Sequence, residues 1–267
     1  MANILVFDSG MGGWSVLEAC RAHVPGQHWH YLCDNAALPY GTKPDAWLTE
    51  RILAVVGTAC AELRVELVVV ACNTASTLAL ELLRARLSVP VIGTVPAIKP
   101  AAEQVHGKPL ALLATSATLS RRYTQTLIER FASDSVVHLI NGDALVSEAE
   151  AFMAGAAVSA HTLKAVLAPL QAIEDLQGVV LGCTHFPLLT PRLRLFLDNH
   201  IIWYDSGAAI ARRVEALLPL CPRVGAERVS VYATDTERST VKAVCRRSGL
   251  APPCALRLSE PCLTFFD

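Results

Sequence analysis

Two cysteines stand at matching places in two similar stretches of the sequence. Cys72 follows the apolar run of residues 67–71, Cys183 follows that of residues 178–182, and hydroxyl or amide side chains come next in both cases. A thiolate can accept a proton, and the positive N-terminal end of a helix that begins beside a cysteine favours the thiolate form. Most buried cysteines only fill space in a core. The spacing alone therefore leaves two roles open, an acid/base pair of thiols or two small buried residues.

The other seven of the nine cysteines show no pattern that indicates chemistry. The spacings CxxC and HExxH do not occur, so the sequence predicts no metal site. We interpret these cysteines as small core residues with free thiols, which is typical of a reducing compartment. They are Cys20, Cys33, Cys60, Cys221, Cys245, Cys254 and Cys262.

Composition excludes several classes of protein. Of the 267 residues 52% are hydrophobic and 18% charged, and the net charge is -1, so the chain can fill a core and has no basic surface for nucleic acid. No apolar run reaches the roughly 18 residues of a membrane-spanning helix, and the N-terminus lacks the pattern of a signal peptide. We therefore expect a cytoplasmic protein with no membrane partner. The sequence leaves open whether two copies associate as a homodimer.

Further polar side chains follow strand-like runs, where open α/β sheets bind ligands. They are Asp8 and Ser9, the segment from Asp34 to Gly41, Asn73 and Thr74 after Cys72, Thr115 and Thr118, and Thr184 and His185 after Cys183. Asp8 opens a glycine-rich stretch that lacks both the lysine of a P-loop and the GxGxxG spacing, so it does not indicate a nucleotide site. The stretch is either a tight turn or a site where the Asp8 carboxylate pairs with an ammonium group or orients Cys72. His185 either fills the start of a helix or holds the Cys183 thiolate.

The elements that must position these side chains alternate along the chain. Apolar β-branched runs alternate with amphipathic segments such as 45–63, 76–87 and 159–173, which predicts an α/β fold with mainly parallel sheets. The units around Cys72 and Cys183 each read as strand, turn, helix and second strand, so we expect two related lobes. The predicted strands are residues 3–8, 29–33, 66–71, 89–93, 109–115, 136–141, 178–184, 200–205 and 229–233.

Five blocks in order along the chain are similar to the successive signatures of the glutamate racemases, in the aspartate/glutamate racemase superfamily. They are FDSGMGG at 7–13, LPYG at 38–41, ACNTA at 71–75, ATSAT at 114–118 and LGCTHFPL at 181–188. Any one of them is a weak signal, but the ordered set is specific. The resemblance implies two α/β lobes with pseudo-twofold symmetry and the active site in the cleft between them. We assign residues 1–97 plus 207–267 to the lobe with Cys72, and 98–206 to the lobe with Cys183.

The resemblance also implies an activity. The chain would interconvert L- and D-glutamate without a cofactor and supply D-glutamate for peptidoglycan. Cys72 and Cys183 would transfer protons on opposite faces of the α-carbon, with support from Asp8, His185 and a glutamate. The residues implied to bind substrate are Asp8, Ser9, Tyr40, Gly41, Asn73, Thr74, Thr115, Thr118, Thr184 and His185.

One segment departs from the family pattern. The active-site glutamate of the family lies in a segment usually opened by Cys-Pro, and Gly142-Asp143 stands there instead. The register indicates Glu150, with Glu148 as the alternative. Two other functions also stay open: aspartate racemisation by an enzyme of the same superfamily, and a non-catalytic two-lobed module that binds amino acids.

Overall fold

The computed structural model describes residues 1–218 and 226–258, so Cys221 and Cys262 lie outside the described residues. Within these ranges the strands form two parallel sheets, one of six strands and one of four. The strands are β1 (Asn3–Asp8), β2 (His28–Cys33), β3 (Leu67–Val70), β4 (Val91–Gly93), β5 (Leu110–Ala114), β6 (Val137–Asn141), β7 (Gly178–Leu181), β8 (Ile202–Tyr204), β9 (Arg228–Ala233) and β10 (Cys254–Ala255).

Helices connect most of the strands, as parallel neighbours require. They are α1 (Trp14–His23), α2 (Asp45–Leu63), α3 (Asn73–Arg86), α4 (Ile98–Val105), α5 (Ser116–Leu119), α6 (Arg122–Phe131), α7 (Asp143–Met153), α8 (Ala160–Gln171), α9 (Thr190–Leu193), α10 (Gly207–Leu217) and α11 (Ser239–Arg247). Short 3-10 turns span Asn35–Ala37, Tyr40–Thr42, Phe186–Leu189 and Arg194–Phe196. In the described part of the chain, no helix has the length and apolar character needed to cross a bilayer.

The chain divides into two compact units. Unit 1 comprises Met1–Thr94 and Gly207–Asp267, and unit 2 comprises Val95–Ser206. The sequence predicts residues 95–97 to lie in the first lobe. They belong to unit 2 here, because Ala97 and the adjoining helix α4 pack into the core formed with β5 and β7.

Both sheets repeat one strand order. The six-stranded sheet of unit 1 runs β10-β9-β2-β1-β3-β4, and the four-stranded sheet of unit 2 runs β6-β5-β7-β8. Numbered within each unit, the first four strands therefore lie in the order 2-1-3-4 in both. In unit 1 the apolar side chains of β1 and β3 pack against α2 and α3. In unit 2 those of β5 and β7 pack against α7 and α8 on one face, and α4 and α6 on the other.

The predicted strands are found, but most of those next to the site residues are shorter. The strand predicted at 178–184 ends at Leu181, because the following residues turn toward the 3-10 turn Phe186–Leu189. The strand predicted at 66–71 ends at Val70. The helix predicted at 76–87 begins earlier, at Asn73, so that Cys72 is its N-cap.

Candidate active site

Cys72 lies at the carboxyl edge of the unit 1 sheet, directly at the start of a helix. It is buried, has extended backbone angles and is the N-cap of α3, so Asn73 and Thr74 form the first turn of that helix. The Cys72 sulfur is 3.8 Å from the Ser9 hydroxyl oxygen, which follows β1. The amide oxygen of Asn73 is buried and has no hydrogen-bond partner among the described residues. This edge therefore presents a thiol, a hydroxyl and a free amide acceptor.

Asp8 closes the glycine-rich turn between β1 and α1. Its Oδ2 atom accepts a hydrogen bond of 2.6 Å from the Gly13 N–H group, and its side chain is fully buried. A Cβ atom on Gly13 would lie 2.7 Å from the Asp8 Cβ atom, so only glycine allows this close approach. The structure thus shows the turn role of Asp8, and it places this carboxylate beside β3, the strand that leads to Cys72.

Tyr40 lies in the 3-10 turn Tyr40–Thr42, which packs against α3. Its ring is buried, while Gly41 is exposed. The hydroxyl donates a hydrogen bond of 2.8 Å to Oδ2 of Asp34. Burial and the neighbouring Asp34 carboxylate raise the pKa of Tyr40 well above its ordinary value, so the hydroxyl keeps its proton.

In unit 2, Thr115 and Thr118 form one capped turn at the end of β5. Thr115 is the N-cap of α5, and its hydroxyl oxygen lies 3.0 Å from that of Thr118. The turn is also tied to the start of α7, because Oδ1 of Asp143 accepts a hydrogen bond of 2.9 Å from the Ser116 N–H group. Asp143 stands in the segment where the family pattern has Cys-Pro. Here its carboxylate fastens the threonine turn.

Cys183 is the first member of a polar chain in unit 2. Its sulfur lies 3.7 Å from Nδ1 of His185, and Nε2 of the same ring lies 2.7 Å from Oε1 of Glu150. His185 and Thr184 are buried, whereas Cys183 is partly exposed. A carboxylate that holds one imidazole nitrogen while the other faces a thiol is the arrangement expected of a proton-transfer site.

The surroundings of His185 favour its charged form. Burial by itself would lower the pKa of His185, but the hydrogen bonds to Cys183 and Glu150, together with their negative charge, outweigh it and raise the pKa well above the ordinary value. An imidazolium beside the sulfur stabilises negative charge on it. The ring can thus place positive charge beside the Cys183 sulfur.

The structure also distinguishes the two glutamates of α7. Glu150 contacts His185, whereas Oε2 of Glu148 accepts a hydrogen bond of 2.9 Å from the Ser159 N–H group at the start of α8.

The expectation that a helix starts at each cysteine is wrong for Cys183. A short 3-10 turn that contains Pro187 follows it, so His185 rather than a helix dipole supplies the positive charge.

Three residues of unit 1 that no sequence pattern singled out are linked to Tyr40: Asp34 directly, and Arg51 and Thr234 through the Asp34 carboxylate. Asp34 was noted only as the start of a polar segment, and the other two were not noted at all. Arg51 carried a signal nevertheless. It lies three residues after Leu48 and four before Val55, on a helix face that is otherwise buried. A charge on such a face requires a buried partner.

Comparisons with known proteins agree with this geometry. The model of the Asp/Glu/Hydantoin racemase family matches residues 15–214. The glutamate racemase of Shewanella loihica is 46% identical over 237 residues, which are 88% of this chain and 88% of that protein. The glutamate racemase of Vibrio cholerae is 41% identical over 252 residues, 93% of this chain and 94% of that protein. The crystal structure of Escherichia coli glutamate racemase with L-glutamate and the activator UDP-MurNAc-Ala has a TM-score of 0.88 and 39% identity, and the match covers 95% of this chain and 97% of that one.

Proposed function

Because this chain belongs to the Asp/Glu/Hydantoin racemase family, we propose that it interconverts L- and D-glutamate by proton transfer between two thiols and the α-carbon. The observation that carries the proposal is the equivalent placement of the two thiols. Cys72 lies two residues after the end of β3, and Cys183 two residues after the end of β7. Each of these is the third strand of its unit, next to the first.

Racemisation requires a base that removes the α-proton and an acid that returns one to the opposite face. We assign these roles to the two thiols: Cys72 takes the proton from D-glutamate and Cys183 takes it from L-glutamate. At any moment one sulfur is then a thiolate and the other a thiol, and each turnover reverses the two states. His185 and Glu150 serve the Cys183 half of the reaction, since they place positive charge beside that sulfur.

The charge that develops when the α-proton leaves must be stabilised by fixed donors and dipoles. We propose that Ser9, Thr74 and Thr184, with the turns of Gly41, Thr115 and Thr118, bind the substrate. The free amide oxygen of Asn73 is a suitable acceptor for the substrate ammonium group. Asp8 supports this group electrostatically, as the second carboxylate of the site besides Glu150.

We propose that the product serves cell-wall synthesis, as D-glutamate for peptidoglycan, and that the enzyme works in the cytoplasm. The mechanism requires both catalytic sulfurs in reduced form. Seven cysteines of the described residues, Cys72 and Cys183 among them, form no disulfide, which is typical of a reducing compartment.

The test is exchange of the α-hydrogen with solvent deuterium. Purified protein is incubated with each enantiomer of glutamate and of aspartate in D₂O, and loss of the α-proton signal and of optical rotation is followed. We expect both with glutamate, at a kcat/KM at least about tenfold above that for aspartate, because a distal carboxylate shifted by one methylene leaves its donors imperfectly paired. Comparable values would favour aspartate racemisation, and no exchange with either amino acid would indicate a binding module. A double variant, Cys72→Ser with Cys183→Ser, controls for contaminating racemases.

A further inference from the structure

The buried carboxylate of Asp34 accepts four hydrogen bonds from side chains of unit 1. Arg51 donates from Nε to Oδ2 at 2.9 Å and from a terminal nitrogen to Oδ1 at 2.7 Å. Tyr40 donates to Oδ2 at 2.8 Å, and the Thr234 hydroxyl donates to Oδ1 at 2.7 Å. Asp34 is completely buried. Two donors on each oxygen, one of them from a guanidinium fork, fix this carboxylate in a single orientation.

This group of side chains lies at the same edge of the sheet as Cys72. The Asp34 N–H group donates to the carbonyl oxygen of Asp8 at 2.9 Å, since Asp8 ends β1 and Asp34 directly follows the neighbouring strand β2. The turn that holds Tyr40 packs against α3, whose N-cap is Cys72, and Tyr40 and Cys72 belong to one buried cluster. The charge on the Cys72 sulfur contributes to the raised pKa of Tyr40.

The segment after β9 also binds the loop that follows β2. Besides its bond to Asp34, the Thr234 hydroxyl oxygen accepts a hydrogen bond of 3.1 Å from the Ala36 N–H group. Asn35 exchanges two hydrogen bonds with the backbone of Asp235, of 2.8 and 2.9 Å. The loop between β2 and α2, which contains Tyr40 and Gly41, is therefore fastened to β9 as well as to α2.

We infer that Asp34, Arg51 and Thr234 form a positioning group that holds Tyr40, and with it Gly41, in the place where the substrate is bound. The inference rests on the proposed function, because the turn of Gly41 binds substrate only in that proposal. The hydroxyl of Tyr40 is engaged by Asp34, so its side chain serves as an anchor. Arg51 acts through this anchor and does not touch the substrate.

Stability alone does not account for these residues. A buried ion pair is weak evidence for stability, because removing two charges from water costs about as much as their attraction returns. What the pair provides is geometry, since a bidentate guanidinium fixes the plane of the carboxylate and a lysine ammonium does not. The position of Tyr40 thus depends on the fork of Arg51 as well as on its charge.

The experiment measures KM and kcat for both enantiomers of glutamate in Arg51→Gln, Arg51→Lys, Tyr40→Phe and the double variant Arg51→Gln with Tyr40→Phe. Loss of a hydrogen bond to a charged group typically changes an equilibrium constant by about 10- to 100-fold. We therefore expect Arg51→Gln to raise KM by that factor, with a smaller change in kcat. The KM of Arg51→Lys should lie between that of Arg51→Gln and that of the wild type. Because both residues act through one anchor, the double variant should raise KM by much less than the product of the two single effects.

Arg21 provides the matched control. It lies in the same unit and donates two hydrogen bonds to Glu227 from Nε and a terminal nitrogen, at 3.0 and 2.7 Å. Arg21→Gln should leave KM unchanged. The inference would be overturned if Arg51→Gln had the same KM as Arg21→Gln. It would also be overturned if the KM effects of the two single variants multiplied fully in the double variant. Wild-type protein without racemisation would instead contradict the proposed function. Thermal unfolding identifies variants that do not fold, and in that case Arg51→Lys with Tyr40→Phe replaces Arg51→Gln in the cycle.

Discussion

At the scale of the residue, the proposed mechanism depends on how each sulfur atom is kept able to lose and regain a proton. The two thiols are supported in different ways. Cys72 is the N-cap of a helix of fourteen residues, and the first turn of a helix carries partial positive charge because its N–H groups have no partner within the helix. Cys183 has no such helix and instead lies beside the His185 ring, which Glu150 holds. The proposed proton transfer would therefore rest on a backbone dipole in one unit and on a side-chain charge in the other.

The first prediction concerns the two sulfurs. Cys72→Ser and Cys183→Ser should each lose racemisation by at least about 10²- to 10⁴-fold in both directions, because a hydroxyl is far less acidic than a thiol and a racemase cannot lose one direction alone. The measurement is optical rotation starting from each enantiomer. Cys60→Ser is the control, since burial raises the pKa of Cys60 to about 11 and it lies within α2. A folded Cys72→Ser or Cys183→Ser protein with near-normal turnover would refute the two-thiol mechanism.

The second prediction concerns His185. His185→Asn should lower kcat by about 10²- to 10⁴-fold and change KM much less, because the ring supports proton transfer at Cys183. Steady-state kinetics with both enantiomers give the two constants separately. A variant with unchanged kcat and only a raised KM would show that His185 positions the substrate.

The third prediction follows from the raised pKa of the same ring. A histidine whose pKa is higher in the folded state than its unfolded value of about 6.5 adds stability that is fully present below that pH. This contribution is lost as the pH rises through the folded pKa. The free energy of unfolding in urea should therefore favour wild type over His185→Asn most strongly at acidic pH, and the difference should shrink as the pH is raised. A difference that grows with pH would contradict the assignment of an imidazolium.

At the scale of the element, helix α7 presents two glutamates to different neighbours. The side chains of Glu148 and Glu150 leave the helix two residues apart, which is more than half a turn. Glu150 therefore reaches His185, while Glu148 reaches the first turn of α8. At the opposite end of α7, a Cβ atom on Gly142 would lie 2.7 Å from the Phe186 ring, so the absent side chain lets α7 approach the segment that carries His185.

The fourth prediction uses these two glutamates as a matched pair on one helix. Glu150→Gln should lower kcat about 10- to 100-fold, since a charged hydrogen bond to His185 is lost. Glu148→Gln should keep kcat and lower the free energy of unfolding by only about 0.5–1.5 kcal/mol, because an amide oxygen can still accept from Ser159. Kinetics and urea unfolding of both variants decide the matter. If Glu148→Gln were the inactive variant, the assignment of Glu150 would be wrong.

At the scale of the whole molecule, the repeated strand order gives each unit one thiol at the same topological place. Parallel strands of one sheet point their carboxyl ends to one edge, so residues far apart in sequence meet there, as Asp8, Asp34 and Cys72 do in unit 1. The second unit repeats this with β5, β7 and the residues after them. The repeated strand order therefore supplies two cysteines in equivalent positions, as the proposed reaction with two acid/base groups requires.

The fifth prediction concerns the whole enzyme and its independence of cofactors. The sequence shows neither a metal-ligand spacing nor a glycine-rich phosphate cup beside a lysine. Racemisation should therefore persist at full rate after dialysis against a chelator and after treatment with hydroxylamine, which removes pyridoxal phosphate. Activity that is lost and then restored by a metal ion or by pyridoxal phosphate would contradict this.

The sequence by itself determined the class of fold, the position of both thiols and most of the polar residues beside them, because apolar periodicity and the residues that follow each strand are local properties. It did not determine which glutamate of α7 meets His185, or that Arg51 of α2 and Thr234 after β9 converge on Asp34 and thereby on Tyr40. These partners are separated by up to 200 residues. Their contacts depend on which strands become neighbours and how each helix is rotated on its sheet, and only packing of the folded chain decides that.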